Sequence, residues 1–118
     1  MTQNEKEMLM KDLSGRLTYG VKISVNDNVE ILEGLDILDD VASYGSWLSS
    51  DIEEVKPYLF PMSSMTEDQL KLFDGVFLPN GHVVASDFGF DYLNSIHVDY
   101  RGLIEKGLAI DATNLKIY

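Results

Sequence analysis

His97, Asp99, Tyr100 and Arg101 fall within five consecutive residues and bring together a general base, a carboxylate acceptor, a phenol and a bidentate anion clamp. A run of this kind could move a proton or hold an anion. The same residues also have a structural reading. A histidine in the last turn of a helix is favoured by the macrodipole, Asp99 suits a helix N-cap, and Arg101 can pair with a carboxylate. Close spacing does not put four side chains on one face, and a helix–break–helix path through this stretch would splay them. Ion-pair networks often imitate catalytic sites, so the structural reading outweighs the catalytic one.

Other candidate chemistry is weaker. Ser63-Ser64 lacks the strand–turn–helix Gly-x-Ser-x-Gly setting and an obvious base, so capping and turn hydrogen bonds account for both hydroxyls. Asp39, Asp40, Asp51, Glu53 and Glu54 could offer oxygen ligands, but the alternating Asp/Asn spacing and central glycine of an EF-hand loop are missing. The glycines are isolated, with no phosphate-cradling loop. With no cysteine and only His82 and His97, neither a thiol nucleophile, a disulfide framework nor a multi-histidine cage can be built. The expectation is therefore no metal and no cofactor, in a reducing, cytoplasmic setting.

Charge is more informative by position than by total. The 118 residues carry 20 acidic and 9 basic side chains, a net charge of −11. Between Ile23 and Val55 stand nine acidic residues (Asp27, Glu30, Glu33, Asp36, Asp39, Asp40, Asp51, Glu53 and Glu54) and no Lys or Arg. Such a region repels phosphate backbones, which disfavours direct binding to nucleic acid. It could instead steer the chain to a basic protein partner, or imitate nucleic acid and occupy a DNA-binding protein. A soluble sheet with acidic turns is the plainer alternative. Trp47, with Tyr44, Tyr58 and Phe60, invites two readings as well: an aromatic anchor for a partner, or, favoured in a chain with one tryptophan, packing between sheet and first helix.

Elements must position these residues. Leu, Ile, Val and Phe number 37 of the 118, well above the roughly 20% below which disorder is expected, so one packed domain spanning 1–118 fits. Charges interrupt the first 17 residues, which read as mature protein rather than a signal peptide, and no apolar run is long enough to cross a membrane. Thr2 and Glu5 have capping-box spacing, and Leu9, Leu13 and Leu17 recur at i, i+4, i+8, predicting a helix over 3–17. Its Lys6, Lys11 and Arg16 read as a solvated face paired with Glu7 and Asp12 rather than as an anion contact. From Tyr19 to Val25 the period is two, a half-buried strand that turns at Asn26-Asp27-Asn28.

Strands over 29–38, 41–48 and 52–55 should follow, with Pro57 and Pro61 closing the sheet. Thr66 and Gln69 repeat the capping-box spacing ahead of a helix over 67–73. Asn80-Gly81 suggests a two-residue type I′ hairpin. Ser86 or Asp87 can cap a helix carrying Phe90, Leu93 and His97 on one face, and Asp99 a further short helix ending at Gly107. Leu115-Lys116-Ile117 could pair with the sheet edge. The expected fold is α+β: an N-terminal helix on a three- to four-stranded antiparallel meander, either open or curled toward a small open barrel, then short helices and a C-terminal extended segment.

Three stretches resemble a family of small uncharacterised proteins of Bacteroides-group bacteria, often found in prophage-like or mobile-element surroundings. They are Lys11-Asp12-Leu13 through Tyr19-Gly20-Val21-Lys22, then 55–66 (Val-Lys-Pro-Tyr-Leu-Phe-Pro-Met-Ser-Ser-Met-Thr), and 91–109 with its Asp99-Tyr100-Arg101-Gly102-Leu103-Ile104-Glu105-Lys106-Gly107 core. Together they cover somewhat under half of the chain. The resemblance implies no assigned activity, cofactor or partner. Where relatives often carry a cysteine, a proline and a histidine pair, this chain has Ser14, Thr18 and Ile96 beside His97, which removes a thiol or a two-histidine metal site as a shared basis. The function this reading favours is a non-enzymatic protein-interaction module of a bacterial mobile or accessory element, with the acidic sheet as contact surface. The alternatives are a small enzyme built around His97, Asp99, Tyr100 and Arg101, and the nucleic-acid mimic.

Overall fold

In the computed structural model, which describes residues 1–118, the chain opens with helix α1 (Gln3–Arg16). Its start is a reciprocal capping box: Thr2 Oγ1 accepts from the Glu5 amide at 3.1 Å, and Glu5 Oε1 accepts from the Thr2 amide at 2.9 Å. Two donors that a helix N-terminus would leave free are thereby satisfied. The buried stripe of α1 holds Leu9, Asp12, Leu13 and Arg16, so two charged residues lie on the core face rather than in solvent. Leu17 ends outside the helix, in a 3-10 turn (Leu17–Tyr19) closed by Gly20 at φ +68. Tyr19 belongs to that turn and not to the strand.

Strands β1 (Lys22–Val25), β2 (Asn28–Asp36), β3 (Val41–Tyr44) and β4 (Leu48–Asp51) pair consecutively as an antiparallel meander. The alternation in β1 works as expected, with Val21, Ile23 and Val25 buried. Asn26 and Asp27, at φ +52 and +63, form the two-residue turn into β2. β2 stops at Asp36 because its Oδ1 accepts from the Leu38 and Asp39 amides, each at 3.1 Å. Ile37 and Leu38 consequently sit in an exposed turn instead of the expected strand. The single strand expected over 41–48 is a hairpin: Gly45, Ser46 and Trp47 all take positive φ (+56, +53 and +104) and reverse the chain between β3 and β4. The residues expected to form a fourth strand over 52–55 make a 3-10 turn (Ile52–Glu54).

Pro57 and Pro61 do not close the sheet; they lie within one of its strands, β5 (Lys56–Pro61). Then come α2 (Glu67–Leu72), the hairpin of β6 (Gly75–Phe77) and β7 (Val83–Ala85), α3 (Asp87–Ser95), β8 (Val98–Asp99) and β9 (Ile110–Asp111). Thr66 caps α2 with the expected box to Gln69, and Ser86 caps α3 through the Gly89 amide at 3.1 Å. The β6–β7 connection is not a two-residue type I′ turn. Gly81 donates to the Leu78 carbonyl at 3.0 Å and alone takes positive φ (+85), the pattern of a type I turn with Pro79 at its second position followed by a left-handed glycine. Residues 103–107 form successive turns, not a helix, and follow a left-handed Gly102 at φ +74. Gly107, at φ +73, ends them as expected: its amide reaches Ile104 O at 3.1 Å and the Leu108 amide reaches Leu103 O at 2.9 Å, the paired bonds of a Schellman motif. Residues 115–117 form no strand; the edge partner is β9.

The main sheet runs β4-β3-β2-β1-β5-β8, with β9 also on β5, and both β8 and β9 pair parallel. Successive residues of a strand turn their backbone groups to opposite sides. Lys56 faces Ser24 of β1 and Phe60 donates to His97 O beside β8, while Leu59 accepts from Ala112 beyond β9. By that alternation β1 and β8 lie end to end along one edge of β5, and β9 along the other. Pro57 opposes Ile23 at a position whose backbone faces away from β1, so its missing N–H costs that ladder nothing.

The main core lies between α1 and the sheet and includes Leu9, Leu13, Ile23, Ile52, Leu59 and Leu103. A smaller one, around Phe73, Leu93 and Val98, joins the β6–β7 ribbon to α3. Gly89 sits at that junction, where a Cβ would run into the Asp74 carbonyl oxygen and the Ala85 methyl. In an open helix Gly→Ala gains about 1 kcal/mol. Here Gly89→Ala should lose about 1–3 kcal/mol through overpacking, read as a lower urea midpoint. An increased midpoint would show that the ribbon does not press on α3 as described.

Candidate functional site

The α1 stripe delivers Asp12 and Arg16 to the foot of β8. Asp12 Oδ2 accepts from Arg16 Nε at 2.8 Å, while Oδ1 accepts from Arg16 Nη2 at 3.0 Å and from Arg101 Nη1 at 2.6 Å. Asp12 and Arg16 are both fully buried. Arg16 Nη2 also donates to the Val98 carbonyl at 2.7 Å, tying the helix to the strand. Tyr100 lies against both cations: the guanidinium carbon of Arg101 is 4.6 Å from its ring centroid and that of Arg16 5.3 Å. Its hydroxyl donates to Asn94 Oδ1 of α3 at 2.9 Å.

Asp99 is not a free base. Its carboxylate accepts from the amides of Arg101 (3.3 Å), Leu103 (3.0 Å) and Ile104 (3.0 Å) and so caps the turn that follows. Asp99, Tyr100 and Arg101 border a broad open cleft together with Lys11 of α1 and Lys106. His97 is not on that cleft. It follows the C-cap of α3 at φ +62 instead of lying in the helix, and its ring stacks on Tyr118 with centroids 4.0 Å apart and planes 12° from parallel. Burial, with Arg16 and then Lys22 nearby, pushes its pKa down to about 4, so the cationic C-terminal role expected for it is replaced by a neutral ring. The four residues close in sequence thus serve as a stacked ring, a cap, a hydrogen-bonded spacer and an ion-pair partner; three of them border the cleft and His97 lies away from it.

Tyr118 itself fills the gap between β1 and β8. Its hydroxyl accepts from the Lys22 amide at 2.8 Å and donates to the Tyr58 carbonyl at 2.8 Å, taking the place of a ladder bond that β1 and β5 would otherwise share. Lys22 Nζ donates to the Ile117 carbonyl at 2.6 Å and holds the same segment. Burial raises the Tyr118 phenol to about 12, which keeps the proton needed for its donation.

Family models, curated proteins and solved structures give no match to this chain.

The remaining candidates are dispersed. Ser64 Oγ donates to the Pro61 carbonyl at 2.6 Å, the turn role expected of it. No group of three or more His, Asp or Glu side chains is placed to hold an ion. All nine carboxylates of the meander reach solvent, though Glu30 and Asp40 only in part. They gather at both ends of it: Asp27, Glu30 and Glu33 toward the β1–β2 and β3–β4 turns, and Asp36, Asp39, Asp40, Asp51, Glu53 and Glu54 toward the other. Glu53 is bridged by Lys6 at 3.1 Å, and Glu33 accepts from the Ser46 amide at 2.8 Å. Tyr44 and Tyr58 are buried, but Trp47, expected in the core, is 100% exposed at the β3–β4 tip.

The residues that sequence reasoning missed carried a signal. Leu9, Asp12, Leu13 and Arg16 are spaced i, i+3, i+4, i+7, the buried face of a helix. Breaking the buried pair by Asp12→Ala should cost about 3–5 kcal/mol in urea unfolding, because two guanidiniums lose their counter-charge. Lys6→Ala, which breaks the exposed bridge to Glu53, should shift the unfolding midpoint far less. Equal effects would contradict this assignment. For His97, the unfolded chain binds a proton near pH 6.5 and the folded chain only near 4. Stability should therefore fall as pH drops from about 6.5 toward 4, since the unfolded state binds more protons in that window. His97→Asn, which tolerates the left-handed backbone, should flatten this limb in a series of urea melts; an unchanged slope would remove His97 as its source.

Proposed function

We propose that the chain is a non-enzymatic protein-interaction module that meets a basic partner through its acidic meander, with Trp47 as the aromatic anchor. The observation that carries this reading is Trp47. Three successive positive φ angles hold the indole wholly in solvent at the hairpin tip, where it contributes nothing to the core. A non-glycine residue at φ +104 is a strained conformation, and strain of this kind collects at functional positions. Exposed tryptophans are frequent anchors of protein interfaces. Leu48 beside it is 54% exposed and extends the apolar contact.

The surrounding field gives the partner its sign. Asp27, Glu30 and Glu33, at the Trp47 end of a meander that has no Lys or Arg between Ile23 and Val55, would steer a cationic surface toward the tip and weaken the contact as salt rises. The resemblance to Bacteroides-group proteins fits a cytoplasmic accessory role in a mobile-element setting. Its three segments supply the second half of α1, β5 and residues 91–109, which hold Asp12, Arg16 and Arg101, whereas the meander beyond Lys22 lies outside them. The enzyme reading loses its support, because the residues it needs are engaged separately.

Immobilised chain should retain a basic partner from host lysate at low salt and release it at high salt. Trp47→Ala should abolish retention while leaving the unfolding midpoint unchanged. If no partner is held at low salt, or if the alanine variant retains it equally, the reading fails.

A further inference from the structure

The β6–β7 ribbon has one face buried and one bare. Gly75, Phe77, Val83 and Ala85 turn toward Phe73, Leu93 and Gly89. On the other face Val76 and Val84 stand directly opposite each other in the ladder, 58% and 59% exposed. Asp74 Oδ2 accepts from Ser86 Oγ at 2.6 Å at the open end of the ribbon, and two residues beyond each of these lie Leu72, 70% exposed, and Phe88, 83% exposed. Scattered exposed apolar residues need no explanation, but a strand pair with its outer face apolar and its flanks apolar too is a contact surface.

Charge decides what fits it. From residue 67 to 91 the acidic side chains are Glu67, Asp68, Asp74, Asp87 and Asp91, all exposed, against Lys71 alone. None of the five takes part in an ion pair. A second copy of this chain would bring two such rims together and be repelled, and an anionic lipid surface would be repelled as well. A segment with an apolar stripe bordered by Lys or Arg meets both requirements. We propose that the outer face of the β6–β7 ribbon docks a basic amphipathic segment of another protein, with Val76 and Val84 as the floor and Leu72 and Phe88 as flanks. This surface is distinct from the Trp47 tip and does not depend on it.

The test uses a synthetic amphipathic Leu/Lys helix and a peptide of the same composition in scrambled order, titrated into the full chain by calorimetry. The patterned helix should bind and the scrambled one should bind at least tenfold more weakly. Val76→Ser with Val84→Ser, which leaves the charge unchanged, should weaken the patterned helix at least tenfold. Trp47→Ala should leave it unaltered. Amide exchange should slow over residues 75–85 on binding, and the peptide-free serine variant should keep the exchange pattern of the parent chain, which checks that it is folded. Equal binding of both peptides would reduce the contact to charge alone and overturn the proposal. So would loss of binding in the Trp47 variant, which moves the site to the meander, or no binding of the patterned helix. A dimer of the chain that disappears in the serine variant would overturn it in favour of self-association.

Discussion

One buried carboxylate decides where the first helix can lie. Asp12 faces the core and holds two guanidiniums, Arg16 from its own helix and Arg101 from a segment 89 residues away. An ion pair of this kind is a weak source of net stability, since desolvation offsets much of the attraction. Its consequence is positional. A bare charge in the core would be far costlier than a paired one, so the helix docks only in the register that brings Asp12 to Arg101 and Arg16 to the Val98 carbonyl. Tyr100 then packs against both guanidiniums, and its hydroxyl reaches across to α3. The short β8 strand, too short to hold itself, is fixed by this network as much as by β5.

Much of the fold was legible because local rules and global packing agree. The Thr2 and Thr66 boxes, the Asn26-Asp27 turn, the Ser86 cap and the Gly107 stop each act within a few residues, and each lies where spacing predicts. Where expectation and structure part, distant contacts intervene. Pro57 and Pro61 looked like sheet breakers, but a proline is tolerated in a strand wherever its nitrogen faces no partner, and only the pairing of β5 reveals that. The strand over 41–48 failed because Gly45, Ser46 and Trp47 can take left-handed backbone together, which alternation of apolar residues does not disclose.

The candidate chemistry was misleading for a related reason. His97 takes a left-handed backbone away from the cleft, while Asp99 turns onto the following amides, Tyr100 onto Asn94 and Arg101 onto Asp12, so neighbours in sequence have different partners. Asp12 and Arg16, which complete the network, were visible only as an i, i+4 pair on a helix, and such pairs are usually solvated. Neither burial nor the partner at residue 101 follows from the helix alone. The carboxylates of the acidic window lie on and just beyond the meander, gathered at both of its ends, a placement that only the strand pairing reveals. The Trp47 side chain went against expectation because a single tryptophan is usually worth more to a core than to a turn.

That exposed indole has a spectroscopic meaning as well. It is the chain's only tryptophan and is already in water in the folded state. Its emission would change little when the protein unfolds, so intrinsic tryptophan fluorescence is a poor gauge of folding here and circular dichroism is the better one. The same property makes it a quiet background against which a blue shift reports desolvation of the hairpin tip. The protein thus carries a built-in optical probe at one surface, silent toward its own folding and responsive to whatever covers it.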